Sequence, residues 1–286
     1  MPVNTEIPER LWLPLLILDK SDGVIHGKTK FQKLTFLTQV LAHIDEYDFR
    51  KYHYGPFSDL LELDLSAYSG LVTIVENESM MNYGQHYFSF YLTSNGKKEI
   101  EKMKKELLPR TLEKVENIIE SRLARTRCEL LDEVYSKFGI DPKDSLKLAA
   151  EVKKELENIL PPLIECSRTY NNRQSAFVLS TLEIIGNILK ALESVSDTAK
   201  RGVALYLSRE LIHKIADTSK DVRPPANSEL LRPRFLEIAE LESYLLGYCD
   251  KRKIYNNPFE RTLDEAFTEE EAKRLAQSLS NLNLTA

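Results

Sequence analysis

The feature that most constrains this chain is a change of hydrophobic period that happens once and then reverses. As far as Leu65 the apolar residues recur every third or fourth position. Leu71-Val72-Thr73-Ile74-Val75 and Tyr87-Phe88-Ser89-Phe90-Tyr91-Leu92 are instead β-branched and aromatic runs, and after Lys97 the helical spacing returns for good. One isolated pair of strand-like runs cannot build a layered sheet. The pattern therefore predicts a mainly α protein with a small β-hairpin: an N-terminal winged helix plus a C-terminal all-helical domain. Only 10 Gly and 12 Pro in 286 residues fit long helices with short connections.

Before the hairpin, helices are expected over 7–20, 28–42 and 58–68. The first carries Leu11, Leu15, Ile17 and Leu18 and stops at Ser21-Asp22-Gly23. The second carries Phe31, Leu34, Phe36, Leu37, Val40 and Leu41. Tyr54-Gly55-Pro56-Phe57 reads as a turn, with Ser58 capping the third helix and Gly70 closing it. The hairpin has a long tip around Asn82-Tyr83-Gly84. Beyond it, a helical run to Phe138 is interrupted at Pro109, and a helix from Asp141 to Leu160 is broken or kinked by Pro161-Pro162. Helices follow over 173–194, 197–217, 229–251, 258–267 and 268–280, the last opening on the capping box Thr268-Glu269-Glu270-Glu271. Lys220–Asn227 is a surface loop. The expected organisation is a module over 1–96, long connecting helices over 97–138 and an all-helical domain over 139–286.

A net charge of −5 leaves no overall field drawing the chain to nucleic acid or an anionic membrane, so binding of that kind needs a local basic patch. Cys128, Cys166 and Cys249 are odd in number and scattered, which predicts buried thiols rather than a disulfide framework or a zinc site, and no cofactor is expected. The apolar stretch Leu11–Leu18 is too short to cross a bilayer and has no cleavage site after it; the expected location is the cytoplasm, away from any membrane.

Three segments carry a resemblance: Lys28-Thr29-Lys30-Phe31-Gln32-Lys33-Leu34-Thr35-Phe36-Leu37, Tyr52-His53-Tyr54-Gly55-Pro56-Phe57-Ser58, and Leu92-Thr93-Ser94-Asn95-Gly96. Together they are similar to a broad class of prokaryotic winged-helix proteins with a QKL helix, a YGPFS turn and an LTxxG exit, and more distantly to SocA/Panacea-type antitoxins. The resemblance covers the N-terminal third. It implies a winged helix and a DNA-associated regulatory protein, in transcription or as an antitoxin or defence component. The alternative is a protein-interaction module that uses the winged helix to bind a partner protein or toxin.

A winged helix ordinarily presents its third helix to the major groove. Here that helix holds Asp59, Glu62 and Asp64 and no Lys or Arg, so duplex DNA would have to be met by Lys28, Lys30, Lys33, Arg50 and Lys51 instead, leaving Asp59, Glu62 and Asp64 to a partner protein. Phe49, Tyr52, Tyr54, Phe57, Tyr87, Phe88 and Tyr91 read as core rather than a base-stacking platform, and His53 as a packed side chain. Arg122, Arg125 and Arg127, and Lys251-Arg252-Lys253, read as solvated runs. Arg209 and His213 form the one pair that invites catalysis. It resembles the Arg and His of helical HEPN-type ribonucleases, but three residues intervene where four to six are usual. Without a phosphate loop, nucleophile elbow or metal motif, no catalytic residue is assigned and a non-enzymatic protein is expected. The stripe Leu107, Leu112, Val115, Ile118, Ile119 and Leu123 needs cover, from the C-terminal helices or from a second copy in a homodimer.

Overall fold

The structure is a computed structural model that describes residues 7–78, 86–170, 173–219 and 228–255. The hairpin tip, the loop Lys220–Asn227 and the helices expected over 258–267 and 268–280 lie outside the described residues. The chain is mainly helical with a small antiparallel sheet, and it divides after Ser136 into two compact units.

In the first unit a 3-10 turn, Glu9–Leu11, leads into α1 (Trp12–Lys20), and every residue from Trp12 to Leu18 is buried. A helix apolar on all sides has no solvent face to offer, so it sits centrally. Asp22 and Gly23, with φ of 55° and 80°, reverse the chain into β1 (Val24–His26). Then come α2 (Lys28–Ala42), β2 (Arg50–Tyr52), β3 (Gly55–Phe57), α3 (Asp59–Ala67), β4 (Val72–Glu78), β5 (His86–Leu92), α4 (Ser94–Glu106), α5 (Pro109–Leu123) and α6 (Arg127–Phe138), whose last two residues fall past the division.

The β4–β5 hairpin is in place, but it is not the whole of the β structure. β1 pairs antiparallel with β5, giving the order β1-β5-β4, and β2 pairs with β3 in a separate ribbon. Ile25 and Ile74 flank Phe90 across the sheet, and the Phe90 ring meets Phe31 of α2 edge-on at 5.0 Å. The three-residue strands went unread because a period of two needs more than three residues to show itself.

Of the helices expected over 97–138, α4 and α5 lie in the first unit and α6 crosses the division after Ser136. α5 packs on α2 and α1, with Val115 and Ile119 fully buried, and Leu107, Leu112, Ile118 and Leu123 are half-buried. The same chain thus covers Val115 and Ile119 fully and the other four residues of the stripe in part. Ser58 caps α3, its hydroxyl accepting from the Leu61 amide at 3.2 Å. Ser58→Ala is expected to lower the stability of this unit by about 1 kcal/mol, read as a shifted denaturation midpoint with unchanged slope.

The second unit contains α7 (Pro142–Tyr170), α8 (Arg173–Leu192), α9 (Thr198–Ser219) and α10 (Ser228–Lys251). α9 packs against all three others and buries Val203, Leu207, Leu211 and Ile215. No strand occurs after Leu92 among the described residues. α7 is not broken at its prolines: it runs through Pro161 and Pro162. Each proline frees the carbonyl four residues back, at Glu157 and Asn158, and these positions are exposed, so water can satisfy both.

Candidate functional site

The segments that carry the resemblance are brought together by α2, and their polar groups bind one another. Gln32 does for Ser58 what a neighbouring strand would do: its amide nitrogen donates to the Ser58 carbonyl and its oxygen accepts from the Ser58 amide, both at 3.0 Å. Gln39 repeats the device on Tyr47, donating to its carbonyl at 2.7 Å and accepting from its amide at 2.8 Å. The Lys33 amine is buried and donates to the Pro56 carbonyl at 2.5 Å, beside Gly55, whose φ of +81° suits glycine. The exit motif is equally structural. The Thr93 hydroxyl accepts from the Gly96 amide and donates to the Gly70 carbonyl, while a Cβ on Gly96 would lie 2.4 Å from the Leu71 oxygen. These motifs hold the fold.

The proposed DNA surface loses its third lysine. Lys33 is 2% exposed, and burial lowers its amine to about 7 from the ordinary 10.5, so it is no surface cation. Lys28 pairs with Glu62, Lys30 donates to the Leu123 carbonyl at 3.0 Å, and Arg50 makes a two-pronged pair with Asp59 at 2.7 and 3.0 Å. Lys51 is exposed on β2.

The acidic set changes in the same way. Asp64 is 3% exposed and takes both prongs of Arg10, at 2.7 and 2.8 Å, so it is a core anchor and cannot meet a partner. The Tyr47 phenol is fully buried, and burial together with the Asp64 charge raises its pKa. Asp59 and Glu62 remain on the surface, each already holding a cation. The Arg10–Asp64 pair went unread because its partners lie 54 residues apart.

The aromatic set divides. Phe49 is core, but Tyr52, Tyr54, Tyr87 and Tyr91 are exposed, Tyr54 by 65%, so the expectation of core fails for all four tyrosines. Strand alternation explains Tyr87 and Tyr91, which share the outer face of the sheet with Ser89 while Phe90 points inward. The exposed His53 ring sits 4.7 Å from that of Tyr52. On α3 the outward face shows Leu60 and Leu63, Leu63 at 63% exposure. These side chains form one surface with the ribbon. The Arg50 guanidinium lies 5.3 Å from the Tyr52 ring centre and binds Asp59, and Leu63 follows Asp59 one helical turn later.

The inner face of α3 borders a cavity of about 130 Å³ closed by α2 and the hairpin. It is lined by Phe31, Leu61, Leu65, Ile74, Phe88 and Phe90, with Lys28, Glu62, Gln32 and Ser66 as its polar groups.

Other expected residues hold partners of their own. Arg122 is no solvated cation: it is 9% exposed and makes a two-pronged pair with the buried Glu133, which Arg125 also binds at 2.6 Å. In the second unit Arg252 lies over the Tyr248 ring at 3.8 Å. Arg209 and His213 converge on Glu155: Arg209 binds it at 2.6 and 3.1 Å, and His213 Nε2 is 3.1 Å from its oxygen. Cys249 is buried, with its thiol pushed up to about 12 by burial, whereas Cys128 is exposed against expectation; the side chain of Cys166 lies outside the described residues. Among the described residues no cluster of metal-ligating side chains occurs, and no helix is long and apolar enough to cross a membrane. Comparison with family models, curated proteins and solved structures returned no match for the chain.

Proposed function

We propose that the first unit is a winged-helix module and that it serves as a protein-binding regulator of the antitoxin-like kind, docking a partner protein rather than duplex DNA. The element order supports the winged-helix reading: three helices, a short strand between the first two, and a terminal hairpin whose second strand pairs with that short strand.

One observation carries the choice of partner. Of the five cations expected to meet phosphate, Lys33 is buried and Lys30 and Arg50 are engaged by the protein's own oxygens, while large apolar side chains stand exposed on α3 and the β2–β3 ribbon. Tyr and Arg beside a neutral ion pair match the residues enriched at protein interfaces. Leu60 and Leu63, three residues apart on one helix, are spaced to receive the apolar face of a partner helix. The absence of Lys and Arg from α3 argues in the same direction.

A photoreactive benzoyl-phenylalanine placed at Leu63 or Tyr54 in the native host is expected to give one discrete protein adduct. The same probe at Leu236, exposed in the second unit, should give none. Leu63→Asp should suppress the adduct formed from position 54. Equal labelling from all three positions defeats this reading. A salt-dependent mobility shift with random duplex DNA, combined with no adduct from position 63, replaces it with a DNA-binding one.

A further inference from the structure

We infer that the cavity between α2, α3 and the hairpin is a binding site for a small aromatic carboxylate, its ring enclosed by the apolar walls and its carboxylate taken by Lys28. The volume sets the size of the ligand. At about 130 Å³ the cavity, open on the side of Lys28, Glu62 and Ser66, is close to the roughly 150 Å³ that suffices for benzene in an apolar protein interior, so its walls take one ring. The walls set its character. Phe31 and Phe90 already meet edge-on at 5.0 Å, and Phe88 and Leu65 complete an enclosure suited to a further ring.

Charge at the mouth sets the functional group. The Gln32 amide is committed to Ser58, and the Ser66 hydroxyl donates to the Glu62 carbonyl, so Lys28 and Glu62 are the lining groups able to exchange partners. Their ion pair is 38% and 39% exposed, a setting in which such pairs contribute little and exchange readily. Lys28 is also the first residue of α2, whose first turn contains no acidic residue and whose N-cap offers no side-chain bond, so the positive end of the helix adds to the ammonium. The Phe88 ring, 5.1 Å from that ammonium, holds it at the entrance. An incoming carboxylate replaces Glu62 on Lys28. An aromatic amine would have to displace Lys28 from Glu62 against the same helix end. This site is separate from the docking face, because Leu61 and Leu65 line it while Leu60 and Leu63 point outward.

Ligand-observed saturation-transfer NMR on the full chain, with benzoate and benzylamine as probes, tests the assignment. Benzoate is expected to bind saturably and benzylamine more weakly. Lys28→Met should weaken benzoate about tenfold, the scale of one charge-assisted hydrogen bond, and Glu62→Gln should tighten it severalfold by removing the competitor. Ser66→Trp, a change at an exposed position of the mouth that leaves the core intact, should abolish binding. No saturable benzoate binding to either the parent or the Glu62→Gln protein overturns the inference. So does a loss of affinity in Glu62→Gln, a preference for benzylamine, or binding that survives Ser66→Trp.

Discussion

Between pH 7 and 9 the first unit is expected to gain about 2–3 kcal/mol of stability, and Lys33→Met should remove that gain. The amine of Lys33 is 2% exposed, and burial lowers it to about 7, whereas the unfolded chain keeps its proton up to about 10.5. Between those values the unfolded state binds more protons than the folded one, so stability rises with pH. Below 7 both states are charged, and the full cost of burying an ammonium is present. Other shifted groups act later and in the opposite sense. Tyr47 has a raised phenol, and Cys249 of the second unit has a thiol held at about 12, so both oppose folding only in more alkaline solution. Denaturant titrations followed by the one tryptophan, the buried Trp12 of this unit, provide the readout. Lys33→Met also gives up the bond to the Pro56 carbonyl, a loss of about 1–3 kcal/mol. It should therefore match the parent near pH 7 and fall below it at pH 9. A flat profile in the parent protein would show that the amine is not desolvated. Lys33→Glu, by contrast, sets a carboxylate against a carbonyl in the core and unfolds the unit, so a triple Lys28, Lys30, Lys33→Glu protein cannot report on nucleic acid.

Gly202→Ala is expected to cost the second unit at least about 4 kcal/mol, enough to abolish its cooperative unfolding transition at moderate temperature. Gly202 lies on α9, where a Cβ would sit 1.8 Å from the Phe138 carbonyl oxygen and 2.9 Å from its carbon. Both obstacles are backbone, so no rotamer change relieves them. Phe138 is itself fixed: its side chain is fully buried against the Tyr206 ring, 4.9 Å away, and the next carbonyl but one, that of Ile140, accepts from Thr198 at 2.6 Å. Gly247→Ala, on α10 with open space around it, is the control and should be neutral or slightly stabilising. If Gly202→Ala melts within a degree or two of the parent, the close approach of α9 to residue 138 is wrong.

Where side chains repeat with the period of their own element, the chain was legible. α2 lies over Lys28–Ala42 as its apolar spacing predicts, and β5, α9 and α10 fall within a residue or two of their expected spans, while β4 runs three residues past Val75. What could not be read is whatever a distant segment decides. Lys33 looks like a surface lysine beside Lys28 and Lys30 until Pro56, 23 residues on, presents a carbonyl to it. Asp64 looks like one of three exposed acids until Arg10 reaches it. The tyrosines of the ribbon and the sheet were assigned to the core because aromatic residues favour burial; the faces they occupy depend on a register that β1 and β3 set from outside the hairpin. The cavity had no signal in the sequence, since its lining comes from four separate elements.

The glutamine latches of α2 also impose an order of assembly as the chain emerges from the ribosome. Tyr47 and Ser58, at the two ends of the β2–β3 segment, take backbone hydrogen bonds from Gln39 and Gln32, which precede them, so both ends can be fixed as soon as they are made. β1 has the opposite history. Its partner β5 follows some 63 residues later, as the spacing of His26 and Ser89 records, and until then Val24, Ile25 and His26 present an unpaired edge. The same helix thus closes one part of the unit early while the strand just before it waits, and three residues is a short edge to leave open in the interval.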